Sequence, residues 1–176
     1  YGNRTVEEIR KFTKEMVQFL LKKDVKMIVI ACNTATAVVL EELQEILDIP
    51  VVGVIQPGSL AAIKQTKTQK IAVLGTHATI QSDVYRKTLQ KKNHELRVTS
   101  LECPKFVPLV ESNQTDSPIA KKVVAQTLQP LMGKEFDTLI LGCTHYPLLK
   151  QRIQAVVGPQ VTLIDSGAET VSTVSA

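Results

Sequence analysis

Short apolar runs alternate with amphipathic stretches along most of this chain of 176 residues. The runs are rich in β-branched residues and continuous rather than alternating, which is typical of strands buried on both faces of a parallel sheet. They occupy residues 27–31, 51–55, 71–74, 138–141 and 161–164, with a weaker sixth at 97–101. The pattern predicts a strand at each of these positions.

The stretches between the runs have apolar positions at helical spacing. Thr5 and Glu8 form a capping-box pattern, which predicts a helix from there to about residue 21. Similar spacing predicts helices at about 35–47, 82–91, 118–132 and 148–157. Alternating strands and helices favour an α/β fold with mostly parallel sheets. The clusters at 56–58 and 165–167 contain Gly, Pro, Asp and Ser, so we expect turns there that mark domain boundaries.

Composition excludes some classes of partner. With 44% apolar residues the chain can bury a real core. No segment approaches the ~18 apolar residues of a membrane span, and the N-terminus lacks a secretory pattern, so we expect a soluble cytoplasmic protein without a membrane partner. The net charge of +4 is spread along the chain, aromatic residues make up only 4% and Trp is absent. We therefore expect no nucleic-acid partner.

Two segments far apart in the chain share one plan. Each has a buried strand, then a small residue, a cysteine, small polar residues and a helix: the cysteines are Cys32 and Cys143. Ligands of open parallel sheets bind beyond the carboxyl ends of strands, where both cysteines are expected. A helix N-terminus favours nearby negative charge, so we expect the pKa of both thiols to be lowered towards neutrality.

A pair of thiols on opposite sides of one pocket suits inversion of a stereocentre. One thiolate removes the proton from one face of a carbon, and the other thiol returns a proton to the opposite face, which requires both to reach the carbon directly. Asn33, Thr34 and Thr144 offer donors for a carboxylate substrate. There is no Gly-rich phosphate loop of the expected spacing, so no nucleotide cofactor is implied.

Other interpretations of the cysteines stay open at this point. Most cysteines are inert packing, which we expect for Cys103. A zinc site made by Cys143, His145 and Cys32 is disfavoured because structural zinc sites usually have a cysteine pair two to four residues apart. The repeated plan favours function over packing for Cys32 and Cys143, and we expect no metal.

A family resemblance adds to this interpretation. Residues 31–35 (Ala-Cys-Asn-Thr-Ala) and 142–147 (Gly-Cys-Thr-His-Tyr-Pro) resemble the two signature motifs of the glutamate racemases. Gly75-Thr76, followed by Thr79, Ser82 and Tyr85, resembles a third segment, and Tyr1-Gly2 resembles the end of a substrate-binding Pro-Tyr-Gly motif. The resemblance covers essentially the whole chain in order. His145 favours glutamate over aspartate, because related aspartate racemases tend to have Glu at that position.

The resemblance implies two pseudo-symmetric, doubly wound α/β domains with the active site between them, one formed by residues 1–55 plus 165–176 and the other by 56–164. It implies catalysis by Cys32 and Cys143 without a cofactor, supported by His145 and Glu111. It also implies that the protein supplies D-glutamate for peptidoglycan synthesis in a bacterium. The residues implied in substrate binding are Tyr1, Gly2, Asn33, Thr34, Thr76, Thr144 and His145. It also implies a homodimer.

Family members carry an Asp-Ser-Gly segment on a first strand, and nothing before Tyr1 supplies it. The chain also starts without Met and stops within a helical pattern, so we expect it to be incomplete at both ends. The open alternatives are a racemase or isomerase for another amino dicarboxylate, such as aspartate, and an inactive binding fragment.

Overall fold

The computed structural model describes Tyr1 and residues 3–176, which form an α/β fold. The strands are β1 (Ile28–Ile30), β2 (Val51–Gly53), β3 (Lys70–Gly75), β4 (Arg97–Glu102), β5 (Thr138–Gly142) and β6 (Thr162–Asp165). The helices are α1 (Val6–Leu21), α2 (Asn33–Ile46), α3 (Ile55–Gln65), α4 (His77–Gln81), α5 (Val84–Lys92), α6 (Phe106–Glu111), α7 (Pro118–Leu128), α8 (Lys150–Val157) and α9 (Ser166–Ser175). All six predicted strands are confirmed, with bounds that differ by one or two residues.

The strands form two sheets in which every pairing among the described residues is parallel. One sheet pairs β1 with β2, and the other has the order β4-β3-β5-β6. The two central strands, β3 and β5, are buried over nearly all their length, as their continuous apolar sequences predict. Gly75 at the end of β3 lies opposite both Glu102 of β4 and Gly142 of β5, so these three strands end level. The loops that follow these three strands therefore begin along the same edge of the sheet.

The apolar side chains are buried in three clusters. One contains residues of α6, α7 and α8 with side chains of β3 and β5, and a second contains residues of α3 and α5 with the alternate residues of β3 and β5. The third joins α1 and α2 to β1 and β2. Helices therefore cover both faces of the four-stranded sheet, as expected for an α/β layer. No helix among the described residues is long and apolar enough to cross a membrane.

The capping box predicted at the start of α1 is confirmed. The backbone N–H of Glu8 donates to the Thr5 hydroxyl at 3.2 Å, and the Thr5 N–H donates to the Glu8 carboxylate at 2.9 Å. This pair satisfies two of the N–H groups that lack an intrahelical partner at a helix start. The helix begins where the sequence predicts because its cap is entirely local.

The predicted turn at residues 56–58 is wrong. Residues 55–65 form α3, and Pro57 lies in its first turn. The first N–H groups of a helix have no intrahelical acceptor, so a proline there removes no hydrogen bond. The cluster at 165–167 likewise starts a helix, because the Asp165 carboxylate caps α9 by accepting from the Ala168 N–H at 3.0 Å.

Two predicted helices differ from the observed ones for local reasons. The helix predicted at 82–91 begins at Val84, since Asp83 has a left-handed backbone with φ of 56° and separates α4 from α5. The helix predicted at 118–132 ends as an α-helix at Leu128 and continues as a 3-10 turn over 129–131, where Pro130 interrupts the α-helical bonding. The short helices α4 and α6 were not predicted.

The predicted division of the chain at residues 55 and 165 stays a prediction. In the structure α9 packs along α3 and also contacts β5 and β6. Helix α2 contacts both α1 on its own sheet and α4 on the other. The segments that carry the two cysteines therefore approach each other through α2, α4 and α9.

Candidate active site

Cys32 lies at the N-terminus of α2. It is the N-cap residue, with extended backbone angles, and its sulfur accepts from the Ala35 N–H at 3.5 Å. The side chain is half-buried, so it is open to a ligand on one side. The first N–H groups of a helix lack an intrahelical acceptor, so others at this helix start are available as donors to a bound anion.

Cys143 follows β5 and is only 8% exposed. A 3-10 turn at 146–149 comes next and α8 begins only at Lys150, so the predicted strand–cysteine–α-helix plan is wrong for this half. Burial raises the pKa of the Cys143 thiol to about 11, although the backbone N–H groups of His145 and Tyr146 act to lower it. The expected shift towards neutrality is therefore wrong for Cys143, because desolvation of the thiolate outweighs the donors.

The two cysteines interact electrostatically. A negative charge on Cys32 raises the pKa of Cys143, after the larger effect of burial. The effect acts between the ionised forms, so a thiolate at Cys32 disfavours a second thiolate at Cys143.

Tyr1 lies against α1, where its hydroxyl is 3.9 Å from the sulfur of Met16. Its phenol pKa is raised, first by burial and then by the charge on Cys32. The side chain remains 42% exposed. Gly2, the other residue expected at this end of the site, lies outside the described residues.

His145 and Glu111 extend from Cys143 towards solvent. The Cys143 sulfur lies 3.8 Å from Nδ1 of His145, and Nε2 of the same ring lies 3.3 Å from a carboxylate oxygen of Glu111. A carboxylate at Nε2 favours the tautomer that carries its proton there, which leaves Nδ1 to accept from the thiol. Glu111 ends α6, so the structure brings this predicted residue against the two predicted residues of the loop after β5.

Three buried threonines meet between the two sheets. The Thr34 hydroxyl of α2 lies 2.8 Å from that of Thr76 and 3.3 Å from that of Thr79, and Thr76 donates to Thr79 at 3.2 Å. Thr76 follows β3 directly, so this cluster joins the Cys32 loop to the edge at which Cys143 lies. The sequence predicts Thr34 and Thr76 as site residues but not Thr79.

Asn33 is 2% exposed and is held by two further residues. Its side-chain oxygen accepts from the Tyr85 hydroxyl, and its amide donates to the Ser166 hydroxyl at 3.2 Å. Ser166 in turn donates to the carbonyl oxygen of Leu141 at 3.2 Å. Tyr85 lies in a segment whose sequence resembles the family, but neither Tyr85 nor Ser166 was predicted as a candidate site residue.

Two other predicted positions have simpler surroundings. Thr144 is exposed, and no side-chain hydrogen bond involves it within the described part of the chain. Cys103 is 1% exposed in an apolar cluster, which agrees with its expected role in packing, and burial raises its pKa far above the usual range. Among Tyr1 and residues 3–176, no group of three or more His, Cys, Asp or Glu residues is arranged to hold a metal ion.

Comparisons with known proteins give one consistent result. Residues 2–174 match the family described as Asp/Glu/Hydantoin racemase. Over 175 residues the chain is 63% identical to glutamate racemase of Streptococcus gordonii, covering 99% of this chain and 66% of that protein. It is 62% identical to glutamate racemase of Enterococcus faecalis and covers 64% of its length. The chain thus spans slightly less than two thirds of the length of these relatives.

The fold agrees with the sequence match. The crystal structure of glutamate racemase isoform RacE1 from Bacillus anthracis superposes with a TM-score of 0.97 at 49% identity, over 99% of this chain and 66% of that one. Architecture and sequence therefore point to the same relatives over essentially every residue of the chain.

Proposed function

Because the chain belongs to the Asp/Glu/hydantoin racemase family, we propose that it acts as a glutamate racemase, which interconverts L- and D-glutamate with two cysteines and no cofactor. The observation that carries the proposal is that buried hydrogen bonds join the Cys32 loop to the end of the sheet at which Cys143 lies. The high identity to glutamate racemases over 99% of the chain supports glutamate as the substrate.

The reaction needs one base and one acid on opposite faces of the α-carbon. In one direction the thiolate of one cysteine takes the α-proton, and the C–H electron pair passes into the adjacent carboxylate to give a planar carbanion. The thiol of the other cysteine then donates its proton to the opposite face. Glutamate leaves with inverted configuration, and the two sulfurs have exchanged protonation states, so the reverse reaction starts from the resulting form.

The electrostatics suit this exchange. Because a charge on Cys32 raises the pKa of Cys143, the state with one thiolate and one thiol is favoured over two thiolates. His145, with Glu111 at its far nitrogen, assists Cys143 by accepting or returning the thiol proton at Nδ1. A protonated His145 would stabilise the Cys143 thiolate as an ion pair, which offsets part of the cost of burying that charge.

Substrate binding is assigned to the groups around the sulfurs. Asn33, Thr34, Thr76 and Thr144 supply amide and hydroxyl donors, together with the backbone N–H groups at the start of α2. Tyr1 and His145 line the approach to the cysteines. Support for a small anionic ligand comes from glutamate racemase of Francisella tularensis, solved in complex with D-glutamate, with a TM-score of 0.92 at 34% identity over 99% of this chain and 65% of that one.

The same proposal covers the cellular setting. The protein works in the cytoplasm of a bacterium, as a homodimer, and provides D-glutamate for peptidoglycan. These statements rest on the family resemblance, and sedimentation of the purified protein tests the dimer.

The decisive test is racemisation in heavy water by the protein at its full natural length. Starting from L-glutamate, the circular dichroism signal should decay to zero while deuterium enters the α-position. Cys32→Ser and Cys143→Ser should each lower the rate by about a hundredfold or more, because each removes an acid–base group. The matched control is Cys103→Ala, which removes a buried cysteine from the apolar cluster and should retain racemisation.

Three results would contradict the proposal. Failure of the unsubstituted protein to racemise glutamate would exclude the activity. Faster turnover of L-aspartate than of L-glutamate would assign another amino dicarboxylate as substrate. Racemisation at the parent rate by both serine variants would reject the two cysteines as the bases.

A further inference from the structure

Tyr85 contacts both cysteine motifs, one with each end of its side chain. Its hydroxyl donates to the Asn33 side chain, next to Cys32. Its ring lies against Gly142, next to Cys143. A Cβ added to Gly142 would lie only 3.2 Å from the ring atom Cε2. Tyr85 is 2% exposed and projects from α5, which belongs to neither motif.

Ser166 makes a second link between the same two segments. Its hydroxyl accepts from the Asn33 amide at 3.2 Å and donates to the Leu141 carbonyl, two residues before Cys143. Ser166 is 1% exposed and lies in the first turn of α9, 133 positions from Asn33. The bond to a β5 carbonyl ties the start of α9 to the strand that carries Cys143.

The hydrogen-bond directions along this network are fixed by the donors available. Tyr85 has one hydroxyl proton, which goes to the Asn33 oxygen, and Ser166 has one, which goes to Leu141. Ser166 must therefore accept from the Asn33 amide nitrogen, and the amide has a single orientation. These contacts leave one N–H and one oxygen lone pair of the Asn33 amide unused.

We propose that Tyr85 and Ser166 are positioning residues that act through Asn33 to hold the two cysteine loops at the separation needed to reach one α-carbon from both faces. This inference rests on the proposed racemase function. Transfer of a proton from each side tolerates little displacement of either sulfur, since misplacement of reacting groups by about 1 Å costs rates of the order of a hundredfold. Neither residue touches the reacting atoms, so their effect is on geometry.

The test is a set of isosteric variants of the full natural protein. Tyr85→Phe keeps the ring against Gly142 and removes only the hydroxyl, and we expect kcat in both directions to fall between about tenfold and a hundredfold. The matched control is Thr138→Val, which removes the hydroxyl of another fully buried residue, at the opposite end of β5. We expect the control to lose comparable thermal stability but to keep its kcat and KM.

A double-mutant cycle separates positioning from a general loss of stability. Ser166→Ala should lower kcat by itself, and the double variant with Tyr85→Phe should lose little more than the worse single variant, because both act through one amide. Additive losses, or kinetics within twofold of the parent for folded Tyr85→Phe, would overturn the inference. If Tyr85→Phe does not fold, Ser166→Ala is the deciding variant. A kcat of Ser166→Ala equal to that of the unsubstituted protein would then overturn the positioning role.

A readout without substrate keeps this inference distinct from the proposed function. The rate at which iodoacetamide alkylates Cys32 and Cys143, followed by mass spectrometry of each peptide, should change by at least about threefold in Tyr85→Phe and stay constant in Thr138→Val. Failure of the parent to racemise glutamate would remove the proposed function. Unchanged alkylation of both cysteines in both Tyr85→Phe and Ser166→Ala would remove the positioning role.

Discussion

Asp137 offers a quantitative test of how the four-stranded sheet is fastened at the edge opposite the cysteines. Its carboxylate accepts from the Thr66 hydroxyl at 2.6 Å, from the N–H groups of Lys67 and Thr68 at 2.7 and 2.9 Å, and from the Thr138 hydroxyl at 3.0 Å. Asp137 therefore ties the turn after α3 to the start of β5. We predict that Asp137→Asn destabilises the protein.

The magnitude follows from the pKa. Although partial burial acts to raise it, the four donors lower the pKa of Asp137 from 3.8 to about 2. Each pKa unit corresponds to about 1.4 kcal/mol, so the ionised carboxylate contributes about 2 kcal/mol to the free energy of unfolding at pH 7. An Asn side chain has the same shape, but its NH₂ group faces donors and leaves at least one of them unpaired.

The sign of the pH dependence is fixed by the direction of the shift. The pKa is lower in the folded state than in the unfolded state, so the contribution is fully present above the unfolded pKa and is lost as the pH falls from about 4 through about 2. Near pH 3 roughly half of it should remain. The stability difference between parent and Asp137→Asn should therefore shrink over that range.

Urea unfolding at pH 7, 5 and 3 measures these differences. The matched control is Asp48→Asn, at an exposed aspartate that accepts no side-chain or backbone hydrogen bond from any described residue. We expect the control to change the free energy of unfolding by less than about 0.5 kcal/mol. Equal stability of the two variants at pH 7, or a difference that does not shrink at low pH, would refute the reasoning.

Three further predictions concern the site itself. Gly142→Ala places a Cβ 2.4 Å from a carbonyl oxygen of β3 and should lower the free energy of unfolding by about 3 kcal/mol or more. The control Gly133→Ala, at φ of 79° with open space around it, should lower it by only about 1 kcal/mol. Equal losses in urea unfolding would contradict this prediction. Alkylation of Cys143 should accelerate about tenfold per pH unit up to about pH 10, because burial raises its pKa to about 11; a plateau below pH 9 would reject that cause. Glu111→Gln should lower kcat about tenfold without changing the melting temperature, since this exposed carboxylate acts through His145; unchanged kcat would remove its role.

The parts of the fold that were predictable are those in which neighbouring residues carry the whole signal. The apolar runs at β3 and β5 predict central strands because burial on both faces requires continuous apolar sequence. The Thr5 cap predicts the start of α1 because its partners lie three residues away. The position of Cys32 and Cys143 was predictable for a related reason, since each lies within two residues of the end of a strand that the sequence identifies.

The errors have the opposite origin. Pro57 and Gly58 are turn-forming residues, yet their surroundings fold as α3, because packing of that helix against α5, α9 and β5 outweighs local preference. The raised pKa of Cys143 depends on how deeply its neighbours bury it, which no sequence pattern reports.

By itself the sequence determined the succession of strands and helices, the two cysteine loops and their place at strand ends, because periodicity and capping act over a few residues. Only the tertiary structure decided that Tyr85 and Ser166 converge on Asn33, that Glu111 meets His145, and that buried hydrogen bonds link the Cys32 loop to Thr76 and to the strand before Cys143. These relations join residues up to 133 positions apart. They depend on the distances and burial that packing sets, and such quantities have no local signature in the chain.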